Sequence, residues 1–178
     1  MLLHMRLTKL ESLVERLLYE QSPAERKKLA QNIAEFGEDA IDPLLRAIDL
    51  KWETMDIETD LFICDALSYT YKRTGLPPFE RILMDKTNSF RKYLPNMLAS
   101  FKEDEVTVLM GKALRNETEA RFQTELIVGL GKTDSKQAIQ ILQQYVTHKD
   151  IEVSFLAEFW IAMIERKKLP PVPAGLEW

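Results

Sequence analysis

Twelve residues of this chain are written twice. Ala34-Glu35-Phe36-Gly37-Glu38-Asp39-Ala40-Ile41-Asp42-Pro43-Leu44-Leu45 returns 65 positions later, from 34 to 99, as Ala99-Ser100-Phe101-Lys102-Glu103-Asp104-Glu105-Val106-Thr107-Val108-Leu109-Met110. Both copies reduce to Ala-x-Phe-x-Glu-Asp-x-(Ile/Val)-x-x-Leu-(Leu/Met). The pattern spells one helix ending, an acidic corner and a second helix beginning. A looser third copy runs from Gly129-Leu130-Gly131 to Ala138-Ile139-Gln140-Ile141-Leu142. Helix pairs repeating at a few tens of residues bury their apolar faces on the pairs before and after them, so the repeat predicts an all-α solenoid.

The remaining pattern fits. Apolar residues three and four apart mark a helix over 2–20, and Ser22-Pro23-Ala24-Glu25 reads as a cap, a first-turn proline and a capping-box acid. Further helices are expected over 40–50, 57–73, 79–86, 104–115, 117–129, 135–147 and 151–167, with one from Asn88 to Phe101 that Pro95 kinks or breaks. That makes about ten helices and no strand. Aligning the second helices puts Ile41, Phe79, Val106 and Ile139 in register. The expected organisation is one domain over 1–178, with a capping helix over 1–22, repeats over 23–167 and a proline-rich tail over 168–178.

The corner Phe36-Gly37-x-x-Ala40-Ile41-x-Pro43-Leu44-Leu45, with Leu130-Gly131 leading into Ala138-Ile139-x-x-Leu142, resembles HEAT repeats. It is most similar to the short bacterial kind also found in phycobilin lyase subunits. The resemblance implies a right-handed solenoid of about four to five helix pairs, whose second helices line an inner face used for binding.

Composition excludes several functions. A net charge of −4 argues against a molecule-wide phosphate-binding surface. The single cysteine, Cys64, allows no internal disulfide, and its apolar setting reads as an inert core position. The N-terminus has no signal-peptide pattern, no stretch is apolar enough to span a membrane, and the expected location is the cytoplasm.

Candidate sites are few. Gly131-Lys132-Thr133 matches the end of Gly-x-x-x-x-Gly-Lys-Thr, but Leu126 stands where the first glycine belongs and helical spacing precedes it. Gly131 is therefore expected to end a helix with a positive φ. Asp56-Ile57-Glu58-Thr59-Asp60 opens like a calcium loop, but Leu61 and Leu67 stand at the required glycine and glutamate. With His4 and His148 the only histidines, no metal cluster and no nucleophile–base pair is expected, hence no cofactor and no catalysis by this chain.

Charge is uneven. Ten acids face two bases between Glu35 and Asp65, whereas Lys72 to Lys92 holds six bases and two acids, a contrast able to steer a partner. On the second helices Asp42, Arg46, Asp49, Glu80, Lys112, Gln140 and Gln144 fall opposite the apolar positions, a mixed, amide-rich row suited to a protein or peptide and not to nucleic acid. The tail Lys167-Lys168-Leu169-Pro170-Pro171-Val172-Pro173 fits the basic-x-x-Pro-x-x-Pro pattern of polyproline ligands. The favoured reading of that tail is a cap, with Leu176 and Trp178 laid on the last repeat. The functional expectation is a non-enzymatic interaction scaffold. Its rivals are a subunit of a bilin lyase-type enzyme and, behind it, a DNA-lesion-binding protein on the same scaffold.

Overall fold

Side chains spaced three and four apart bury one stripe of a helix, and that spacing dominates the architecture. The computed structural model describes residues 2–51 and 57–176, with the side chains of 2, 3, 50, 51 and 57–60 left aside. The helices are α1 (Leu2–Tyr19), α2 (Pro23–Ala34), α3 (Ile41–Lys51), α4 (Ile57–Thr74), α5 (Pro77–Met84), α6 (Leu94–Ala99), α7 (Asp104–Arg115), α8 (Ala120–Lys132), α9 (Lys136–Leu142) and α10 (Ile151–Ile164). Short 3-10 turns cover Gly37–Ala40 and Ser89–Tyr93, and there is no strand among the described residues. The chain is all-α.

Local chemistry sets the helix starts. The Ser22 hydroxyl accepts from the Glu25 N–H, and Pro23 takes the first turn of α2. The reciprocal half of the expected capping box is different: the Ser22 N–H donates to Glu20 Oε1 at 2.9 Å, while Glu25 turns to Lys28 at 2.6 Å. The Glu20 carboxylate, which also accepts the Gln21 N–H at 2.9 Å, takes that place. Asn88 caps the 3-10 turn, and Pro95 sits in the opening turn of α6, so the kink expected there is a restart.

The helix ends carry the repeat. α2, α4, α6, α8 and α10 each close on a left-handed residue: Gly37 (φ 62°), Gly75 (71°), Lys102 (54°), Asp134 (52°) and Arg166 (54°). Four residues past the first four of these stand Ile41, Phe79, Val106 and Ala138, and eight past them Leu45, Leu83, Met110 and Leu142. None of these eight side chains is more than 2% exposed. The last pair corrects the expected register: Ala138 takes the buried position, and Ile139 is half-buried.

Gly131 is likewise reassigned. It lies inside α8, which runs on to Lys132, and the positive φ falls three residues later at Asp134. A Cβ on Gly131 would run into the Trp160 ring of α10. A Cβ on Gly129 would lie 2.7 Å from the Pro95 carbonyl oxygen of α6. Two bare positions on opposite sides of α8 thus let it sit close to both neighbours.

The chain gathers into two compact units, Met1–Arg81 and Ile82–Trp178. In the first, α2 packs along α4, α3 packs on α4, and α1 lies against α2 and α3. Its core holds Leu10, Leu17, Ile33, Leu44, Ile48, Ile63, Leu67 and Phe79. In the second, α6 packs on α8 and α8 on α10, while α7 packs on α9.

Two stability outcomes follow. Gly131→Ala will lower stability by about 1–3 kcal/mol in urea unfolding, because the Trp160 ring must move. In a Trp160→Ala background the same change will be neutral or stabilising, since alanine is the better helix former by about 1 kcal/mol. Lys102→Gly will raise stability by about 1 kcal/mol by relieving a left-handed side chain, and Gly37→Ala will lower it by about as much. Equal and opposite shifts in the urea midpoint at constant slope are the check.

Candidate functional site

Opposite charges that lie apart in sequence meet in the first unit. Glu35 takes both terminal nitrogens of Arg73 at 2.6 and 2.8 Å, Glu38 pairs with Arg81, and Asp39 pairs with Arg6 at 3.5 Å. The acidic corner and part of the basic segment therefore neutralise one another. All of these pairs are solvent-exposed, so each contributes at most about 1 kcal/mol. Arg6 also donates to the Phe36 carbonyl at 3.3 Å and stands 5.6 Å from the Phe36 ring centroid. A cleft of 390 Å³ opens here, lined by Arg6, Lys9, Leu13, Asn32, Glu35 and Phe36.

The second unit hides its charge. Glu117 is a loop residue ahead of α8, not the start of the helix, and its side chain is 3% exposed. It accepts the Thr118 and Glu119 N–H groups at 2.7 and 2.9 Å and pairs with Arg91 and, at 3.4 Å, with Lys86. Burial opposes its charge, but the Glu119 N–H, Arg91 and the Thr118 N–H outweigh it and hold the carboxyl down at about 2. The Arg91 guanidinium lies 3.7 Å from the Phe122 ring centroid, and the Gln123 amide donates to the Glu117 carbonyl at 2.9 Å. The cluster fastens the start of α8 to the turn before α6.

Arg26 plays the corresponding part in the first unit. It is buried, its Nε donates to the Glu20 carbonyl, and its guanidinium lies 4.7 Å from the Phe62 ring centroid. Arg26 and Arg91 are 65 positions apart, the spacing of the duplicated corner, and so are Glu20 and Asp85, whose carboxylates each accept the N–H two residues on. Extending the alignment of the corner toward the N-terminus would have found both arginines.

The expected row is placed as follows. Asp42, Arg46 and Asp49 are exposed along one side of α3, four and three residues apart. Glu80 is half-buried on α5, and Lys112 is exposed on α7. Gln140 is exposed on α9; Gln144 is exposed in the turn beyond it and donates to the Gln140 carbonyl at 3.4 Å. Gln140 lines a second cleft, of 570 Å³, with Asp134, Lys136, Gln143, Glu165 and Arg166 around it and Ile139 and Ile164 within it. Each unit thus presents its own mixed, polar surface.

The other motifs resolve simply. Lys132 donates to the Asn96 side chain and Thr133 to the Leu130 carbonyl at 2.7 Å, so neither forms part of a phosphate loop. Asp56 lies outside the described residues, and 57–60 form the first turn of α4. Cys64 is half-buried. Among the described residues no group of three or more His, Cys, Asp or Glu is placed to hold a metal, and no helix is long and apolar enough to cross a membrane. No family model matches the chain, and no curated protein matches it closely enough to count as a relative.

The Glu117 contacts fix a pH dependence. A depressed carboxyl adds stability that is complete above its ordinary value near 4.5 and is lost as the pH falls toward about 2. Glu117→Gln will therefore lose roughly 3 kcal/mol at pH 7. The gap to wild type will narrow steadily between pH 4.5 and 2, as urea unfolding at several pH values will record.

Proposed function

We propose that this chain is a HEAT-like α-solenoid and a non-enzymatic interaction module that takes a protein or peptide on its exposed second helices. One observation carries the reading: the charge on the corner and on the turn before α6 is spent on internal pairs, whereas Asp42 and Arg46 on α3 point outward with no such pair among the described residues. The recurrence of left-handed helix ends, and the packing of α6 on α8 and α8 on α10, support the solenoid. Outward amides such as Gln140 offer a donor and an acceptor together, which matches a peptide group. A tetrapyrrole would call for an aromatic-lined groove and DNA for a basic one; the clefts beside Phe36 and beside Gln140 mix acids, bases and amides and suit a peptide better.

The test is a comparison of captured proteins. Full-length wild type and an Arg46→Glu/Lys112→Glu variant are used as bait in extract of the native cell, with circular dichroism confirming equal helicity. The expected result is loss of a specific prey from the variant. Identical prey would remove these helices from the binding surface.

A further inference from the structure

The chain past α10 reads Lys167-Lys168-Leu169-Pro170-Pro171-Val172-Pro173. Its departure from the helix is fixed. Arg166 is left-handed, and the Lys167 N–H donates to the Ala162 carbonyl at 2.9 Å, five residues back. Beyond that bond the segment belongs to no helix or strand.

Its conformation is dictated by covalent chemistry. From Leu169 to Pro173 every residue either is a proline or precedes one. The proline ring holds φ near −65°, and its Cδ drives the preceding residue out of the helical region. The three prolines are thereby fixed in φ, and Leu169, Pro170 and Val172 are driven out of the helical region, which biases the segment toward polyproline II without help from tertiary contacts. Three of the five have no N–H, so neither helix nor sheet can recruit them.

What the segment displays is equally specific. A polyproline II helix repeats every three residues and rises about 3.1 Å per residue. Leu169 and Val172 fall on one edge, and Lys167, Pro170 and Pro173 on another. The pairs Leu169-Pro170 and Val172-Pro173 therefore recur one turn apart, about 9 Å, with Lys167 one turn before them. If the tail were laid down as a cap, its apolar side chains would be covered. Leu169 and Val172 are instead 44% and 54% exposed. Leu176 is half-buried, and Trp178 lies outside the described residues. Lys168 is exposed, and Lys167 pairs with Glu165 at 2.8 Å through an exposed contact that a partner's carboxylate can replace.

We infer that Lys167–Pro173 is a polyproline II ligand for a second protein, one whose groove is walled by aromatic rings and carries an acid at one end. The rings clasp the two apolar–proline pairs, and the acid takes Lys167, which sets the direction in which the segment lies. Because the segment is already extended, little chain entropy is lost on binding. None of the residues from Lys167 to Pro173 belongs to the surface row on α3 and α9, so the two readings are tested by different variants.

The probe is an isolated SH3 domain of the class that takes basic-x-x-Pro-x-x-Pro ligands, titrated into the full-length ¹⁵N-labelled chain. Saturable binding tighter than about 1 mM is expected, with shifts centred on Lys168, Leu169 and Val172. A Pro170→Ala/Pro173→Ala variant of unchanged helicity will bind at least tenfold more weakly, and added salt will weaken the wild-type complex. The inference is overturned by absence of shifts at 1 mM probe, by shifts confined to the helices, or by equal binding of the variant.

Discussion

The second unit depends on how closely α8 approaches its neighbours. Gly129 faces the Pro95 carbonyl on one side, and Gly131 faces the Trp160 indole on the other. A methyl group at either point would push a helix away and open space in a core that must stay close-packed. The buried Glu117–Arg91 pair then fixes the start of α8, so that both bare positions meet their partners. Buried charge of this kind adds little net stability over apolar packing, but it penalises any arrangement that separates the two groups.

Much of this was legible in the sequence, and the exceptions have physical causes. The duplicated corner, the Ser22 and Asn88 caps and the bounds of α7 follow from periodicity and capping chemistry, which act over a few residues. Gly131 did not, because a glycine required by a neighbouring ring looks the same in sequence as one required by a turn. Its misreading moved the end of α8 by three residues, from 129 to 132. Lys102, Asp134 and Arg166 hold left-handed positions that glycine would normally signal, so three of the five recurring helix ends lacked the glycine cue.

The candidate surface was less legible than the fold. Charge runs in a sequence suggest fields, but Glu35, Glu38 and Asp39 meet Arg73, Arg81 and Arg6 only once the helices fold back. What helical spacing could supply was the outward side of α3, where residues three and four apart share a face. Glu117 was hidden for a different reason: one acid among 28 has no distinguishing neighbour in sequence, and its burial is decided by Arg91, 26 residues earlier.

The order of packing bears on how fast the chain folds. In each unit the principal contacts join a helix to one within three places along the chain, as α2 with α4 and α8 with α10. Such low contact order keeps each loop closure short and places helical domains among fast folders, on the microsecond-to-millisecond scale.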